Sequence, residues 1–163
     1  MAGLTTLGVF HTAISVVALV GGCVAIARHR RISPIDRSGQ LYLFATLLSA
    51  LTGLGIFQHG GFGPPHALSI LTLLALGLGL VASYSVLFGA WSRYVEAIAY
   101  TTTILFHMIP GFTESLTRLP TDAPILPSAD APQFKVIYGI LLVVFVVGLV
   151  VQLRWLRSTR PAT

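Results

Sequence analysis

Residues 93–120 read RYVEAIAYTTTILFHMIPGFTESLTRLP. Within them Glu96, Tyr100, Thr103, His107, Gly111, Glu114 and Arg118 recur at steps of four and three. On a helix that spacing gathers them into one stripe. The rest of the segment is largely apolar, and it is long enough to cross a bilayer, which takes about 20 residues at ~1.5 Å rise each. Ionisable groups at membrane depth are costly, so they turn towards a protein interior or a wet cavity and mark candidate functional sites. One segment therefore suggests both the fold class and the site.

Working outward, the chain is 55% hydrophobic and only 9% charged. That composition excludes a disordered tail and is far from that of ordinary soluble domains. Five windows have membrane length: Thr5–Ala27, Gln40–Gln58, Ala67–Ala90, Tyr94–Thr117 and Phe134–Leu153. The expectation is an all-α polytopic bundle of five transmembrane helices forming one domain, 1–163, with short connections. No separate soluble domain is left to carry an activity.

The excess of basic residues superficially suggests nucleic acid, but its distribution does not. With the N-terminus outside, Arg28, Arg30, Arg31, Arg37, Arg93, Arg154, Arg157 and Arg160 all fall on the cytoplasmic side. Only Arg118 and Lys135 fall outside, as the positive-inside rule requires. The arginines then act as orientation anchors that touch anionic lipid heads, not as a phosphate-reading surface. With four crossings, the last three arginines would lie outside, so five is the consistent count. The start, MAGLTTLGVFH, lacks a basic n-region, so the first apolar run reads as a retained helix and not a cleaved signal. Cys23 is the single cysteine, which leaves no intramolecular disulfide; it reads as a small packing residue.

Small residues recur every three or four positions on three helices: His11, Ser15, Ala18 and Gly22; Thr46, Ser49 and Gly53; Ala75, Gly79 and Ser83. Such faces let helices approach closely in lipid, within one chain or between copies. The run Leu141–Val147 is apolar all round and reads as lipid-facing. Leu119–Gln133 is the one long connection, with four prolines, and is placed to cover the outer mouth of the bundle.

Depth along the helices brings polar groups together. Counted from the outer ends, His107 lies ~15 Å down, Glu114 ~5 Å and His11 ~9 Å. His59 and His66 flank the outer glycine–proline turn, and His29 sits in the inner arginine cluster. Pro110 removes an amide donor and pushes on the Phe106 carbonyl, so a kink beside His107 is expected. Imidazoles from facing helices, His107 and His11, can be axial ligands of a b-type haem. Alternatively, His11, His59, His66 and Glu114 supply donors for zinc, copper or iron. No ligand pair has fixed local spacing: HExxH, CxxC and phosphate-cradling glycine loops are all missing. Glu114 and Arg118, one turn apart, can instead simply pair, as can Glu96 with Arg93.

Three function classes stay open at this point. The first is a small redox or ligand-binding membrane module. The second is a non-catalytic subunit docking a membrane partner or a second copy. The third is a proton or small-solute carrier using Glu96, Tyr100, His107 and Glu114. Phe10-His11 ahead of Gly21-Gly22, the run Arg37-Ser38-Gly39-Gln40-Leu41-Tyr42, and His107 to Pro120 resemble a family of bacterial multipass inner-membrane proteins of unknown function. That resemblance implies an inner-membrane location and adds no reaction and no catalytic residue.

Overall fold

In the computed structural model, residues 5–57 and 61–159 are described. Five α-helices follow in order: α1 Thr6–His29, α2 Arg37–Leu54, α3 Pro64–Tyr84, α4 Ser92–Arg118 and α5 Gln133–Ser158. A single 3-10 turn, Gly89–Trp91, precedes α4. The described residues contain no strand, so the all-α expectation holds.

Local chemistry sets the ends. The Thr5 hydroxyl accepts from the Gly8 amide and opens α1. Arg30, in the left-handed region at φ 56°, closes it by donating its amide to Ile26 O. Pro64 and Pro65 occupy the first turn of α3, where missing amides cost nothing. α3 stops at Tyr84, six residues before the predicted Ala90, and the chain reaches the 3-10 turn through an irregular stretch. α2 starts and ends three to four residues earlier than predicted, while α5 runs on to Ser158.

The helices run alternately up and down. His11 faces Thr52, Ser15 faces Ser49, and Gly22 faces Tyr42, which fixes α1 and α2 as antiparallel neighbours. α2 packs on α3 and α3 on α4, with a lighter contact between α1 and α4; α5 lies against α4. The predicted small-residue faces are the seams. A Cβ on Gly22 would meet the Tyr42 ring at 2.8 Å, and one on Gly79 would meet the Tyr100 ring at 2.2 Å. Each tyrosine ring thus occupies space that only a glycine leaves open.

α1, α3 and α5 are long and apolar enough to cross a membrane. α2 and α4 fall short of that measure, so the five membrane-length apolar helices predicted from sequence become three. The reason is positional. Tyr42, Thr46, Ser49, Tyr100, Thr103 and His107 of α2 and α4 are buried against neighbouring helices. Helices whose polar faces are covered by protein need not be apolar all round. α5 shows the converse: its Val143, Val144, Val147 and Val151 are well exposed, in line with a lipid-facing reading.

The Leu119–Gln133 connection folds onto the ends of α4 and α5. Leu126 donates to Leu116 O, and Leu126, Ala131 and Phe134 pack with Leu116, Ile137 and Tyr138. It forms a small satellite core there.

Candidate functional site

The predicted stripe on α4 is half inside and half outside. Tyr100, Thr103 and His107 are buried, and Glu96 is half-buried. Past Pro110 the stripe emerges: Gly111 and Glu114 are exposed. Glu114 pairs with Arg118 one turn on, with both side chains well exposed. α4 continues through Pro110 as one helix.

A connected polar line runs through the interior. The Thr103 hydroxyl donates to Tyr100 O at 2.7 Å, so the Tyr42 hydroxyl, 2.6 Å away, donates to Thr103. His107 Nδ1 stands 2.9 Å from Thr103 O. A carbonyl only accepts, so Nδ1 carries the proton and Nε2 carries the lone pair. His107 is 8% exposed, and its Nε2 is buried with no hydrogen-bond partner. The Tyr42 ring is its aromatic neighbour, with centroids 6.2 Å apart.

His11 has the same tautomer by the same reasoning. The Thr52 hydroxyl donates to Leu48 O at 2.8 Å, so its oxygen accepts from His11 Nδ1 at 3.0 Å. The second ring nitrogen therefore carries a lone pair. His11 is within electrostatic reach of both His107 and Glu114. Electrostatic reach is not ligand distance, and Glu114 stays exposed.

His66 is different. It is buried between Phe57 and Phe62, and its Nδ1 accepts from the Gly63 amide at 3.2 Å. Its Nε2 must then bear the hydrogen and is buried without an acceptor. In this arrangement His66 caps α3 and offers no lone pair. His59 lies outside the described residues. Among the described residues, no three His, Cys, Asp or Glu side chains gather closely enough to hold a metal ion.

At the opposite end of α4 the Glu96 carboxyl stands near the Ser33 and Ser83 hydroxyls, with Arg31 in electrostatic reach. The predicted Glu96–Arg93 pair is replaced: the Arg93 guanidinium lies 5.3 Å over the Tyr94 ring. Tyr100 Oη approaches Ser83 Oγ at 3.3 Å, continuing the polar line towards Glu96. His29 approaches Asp36 at 3.8 Å, the latter in the loop between α1 and α2. Cys23 is exposed, not packed.

Sequence reasoning missed two participants. Tyr42 is fully buried and supplies the hydroxyl that ties α2 to the His107 turn. Gln152, in the apolar α5, accepts from the Thr101 hydroxyl and donates to Arg30 O, both at 2.9 Å. An amide inside the apolar run 136–153 was the available signal, since such a group needs partners away from water.

Two cavities lie away from the two imidazoles. One of about 520 Å³ is formed between α1, α4 and α5, and one of about 330 Å³ lies at Thr5, Leu7 and Gly55–Phe57. Neither is lined by His107 or His11. The class defined so far is an all-α bundle with three candidate membrane-spanning helices, a buried imidazole at His107 and a half-buried one at His11. No family model, curated protein or solved structure matches the chain.

Proposed function

We propose that this is an integral membrane protein, of the bacterial inner-membrane kind that its motifs resemble, and that it binds a ligand through His107 with His11 beside it. In this reading all five helices cross the bilayer, with α2 and α4 shielded by their neighbours. The N-terminus lies outside and the C-terminus inside, because that order puts the arginines of both inner loops and of the C-terminal end on one side. One observation carries the site: the buried, unpartnered Nε2 lone pair of His107. Imidazoles that ligate metals characteristically donate their other ring N–H to a carbonyl, as His107 Nδ1 does to Thr103 O.

The donor set favours a group needing two imidazoles over one needing three or more protein ligands. A b-type haem with His107 and His11 as axial ligands meets that count. To admit it, the helices around Tyr42 would have to part, since neither cavity reaches the two rings. A single transition-metal ion needs less room but would draw its remaining ligands from outside the described residues.

The test is an absorption spectrum with elemental analysis of protein extracted from membranes. The expected result is a Soret band or a stoichiometric metal that is lost in His107→Ala. Colourless, metal-free protein would overturn both cofactor forms.

A specific observation supports a second reading, a proton or small-solute path. Glu96, Ser83, Tyr100, Thr103, Tyr42 and His107 form a nearly continuous polar series, and Glu96 Oε1 is buried without a partner. Proton flux into proteoliposomes that falls in both Glu96→Gln and Glu114→Gln would favour this path over a bound cofactor. Stoichiometric co-purification with a partner, with both other tests silent, would favour a docking subunit.

A further inference from the structure

α5 touches the bundle at its two ends and stands off between them. At one end Thr113 Oγ1 and Tyr138 Oη meet at 2.6 Å; at the other the Thr101–Gln152–Arg30 bonds join α4, α5 and α1. The half-open groove of about 520 Å³ lies beside the second of these. That size is within the range of ~300–1,000 Å³ typical of small-molecule sites. Its walls are apolar, including Met108, Leu141, Phe145 and Gly148, and its basic end is marked by Trp155 and Arg30.

Three features define an occupant. From Leu141 to Trp155 the groove follows α5 for ~21 Å. One leaflet contributes about 15 Å of hydrocarbon, half of the ~30 Å core. The groove therefore matches one leaflet and its headgroup edge, not a full crossing. Next, the wall's side-chain amide and hydroxyl already bond to one another and to Arg30 O, which leaves little for a polar solute. Last, the end is positively charged: Arg30 lines it, and Arg154 and Arg157 flank Trp155 in sequence, all three exposed.

We propose that the groove holds one acyl chain of an anionic phospholipid from the leaflet at the basic end, its headgroup against Arg30. Basic pockets between membrane helices on the cytoplasmic side select anionic headgroups in this way. The inference rests on the membrane placement of α1 and α5 and is independent of what His107 binds. Gly148 provides the means of testing it, because a Cβ built there meets no atom within 4 Å. A side chain at that position therefore starts from open space in the groove wall.

The experiment uses Trp91→Phe protein, which leaves Trp155 as the sole tryptophan. It is reconstituted in phosphatidylcholine vesicles containing increasing fractions of either brominated phosphatidylglycerol or brominated phosphatidylcholine. Quenching of Trp155 fluorescence gives the relative affinity of the two lipids. The expected result is about a fivefold preference for phosphatidylglycerol, the factor that one arginine supplies near an anionic headgroup. That preference falls to near unity in Gly148→Phe, which blocks the chain, and in Arg30→Gln, which removes the charge. Equal affinities in the starting protein, or a preference that survives both substitutions, would overturn the proposal. Trp155 unquenched by either lipid would overturn it together with the membrane placement of α5.

Discussion

The hydroxyls of Tyr42 and Thr103, 61 positions apart in sequence, meet at 2.6 Å in the fully buried centre of the bundle. That bond joins α2 to α4 one turn below His107, and the ring that delivers it lies on Gly22 of α1. Three helices therefore converge on one side chain. Tyr42→Phe keeps the ring and deletes the bond, so a loss of about 0.5–1.5 kcal/mol is expected. Tyr42→Ala also empties the groove over Gly22, and about 3–5 kcal/mol is expected. Denaturant titration in micelles, followed by helical circular dichroism, measures both. Equal losses would show that the ring contributes nothing beyond its hydroxyl.

Glycine positions separate seams from open helix surface. Gly79→Ala drives a methyl into the Tyr100 ring, whereas at Gly139 a Cβ meets nothing within 4 Å. The first substitution is expected to destabilise by about 1–3 kcal/mol as an overpacking change. The second is expected to be neutral or to stabilise by up to ~1 kcal/mol through helix propensity. Thermal unfolding of the two variants side by side checks this. A tolerated Gly79→Ala would mean that α3 and α4 are not packed in this register.

The histidine tautomers are opposite and observable. With nitrogen-15 label in histidine, His107 should give a protonated Nδ1 and a bare Nε2, and His66 the reverse. Substituting each in turn assigns the signals. Finding the proton on Nε2 of His107 would remove the lone pair on which the binding proposal depends.

Topology gives a fourth test. In a Cys23→Ser background, single cysteines introduced at Ala2 and at Thr163 should react with a membrane-impermeant maleimide from opposite sides of sealed vesicles. Labelling from the same side would mean an even number of crossings and would reject the five-helix insertion.

The Glu114–Arg118 pair should matter little to stability. Both side chains are well exposed, and an i,i+4 pair of this kind contributes about 0.3–0.5 kcal/mol at most. Glu114→Gln should therefore leave the unfolding midpoint nearly unchanged, and a large drop would indicate a buried role for the carboxylate.

Much of this protein was legible in order along the chain. The four-and-three stripe marked the buried face of α4 at Tyr100, Thr103 and His107, because helical periodicity alone decides which residues share a side. The glycine and serine spacings marked the seams at Gly22, Ser49 and Gly79 for the same reason. Periodicity could not say where the stripe leaves the interior. That depended on which side of α4 the neighbouring helices cover past Pro110, where Gly111 and Glu114 are left exposed. Nor could it separate His107 from His66, two buried imidazoles whose chemistry differs by which backbone group each ring nitrogen meets.

By itself, then, the order of residues determined an all-helical chain, its seams and its basic end, since these follow from side-chain period, size and charge. Tertiary structure alone decided that Tyr42 lies under His107, that Gln152 fastens α5 to Arg30, and that a groove remains between them. Those are contacts between segments distant along the chain. Their geometry is set by the packing of five helices together, which no single helix encodes.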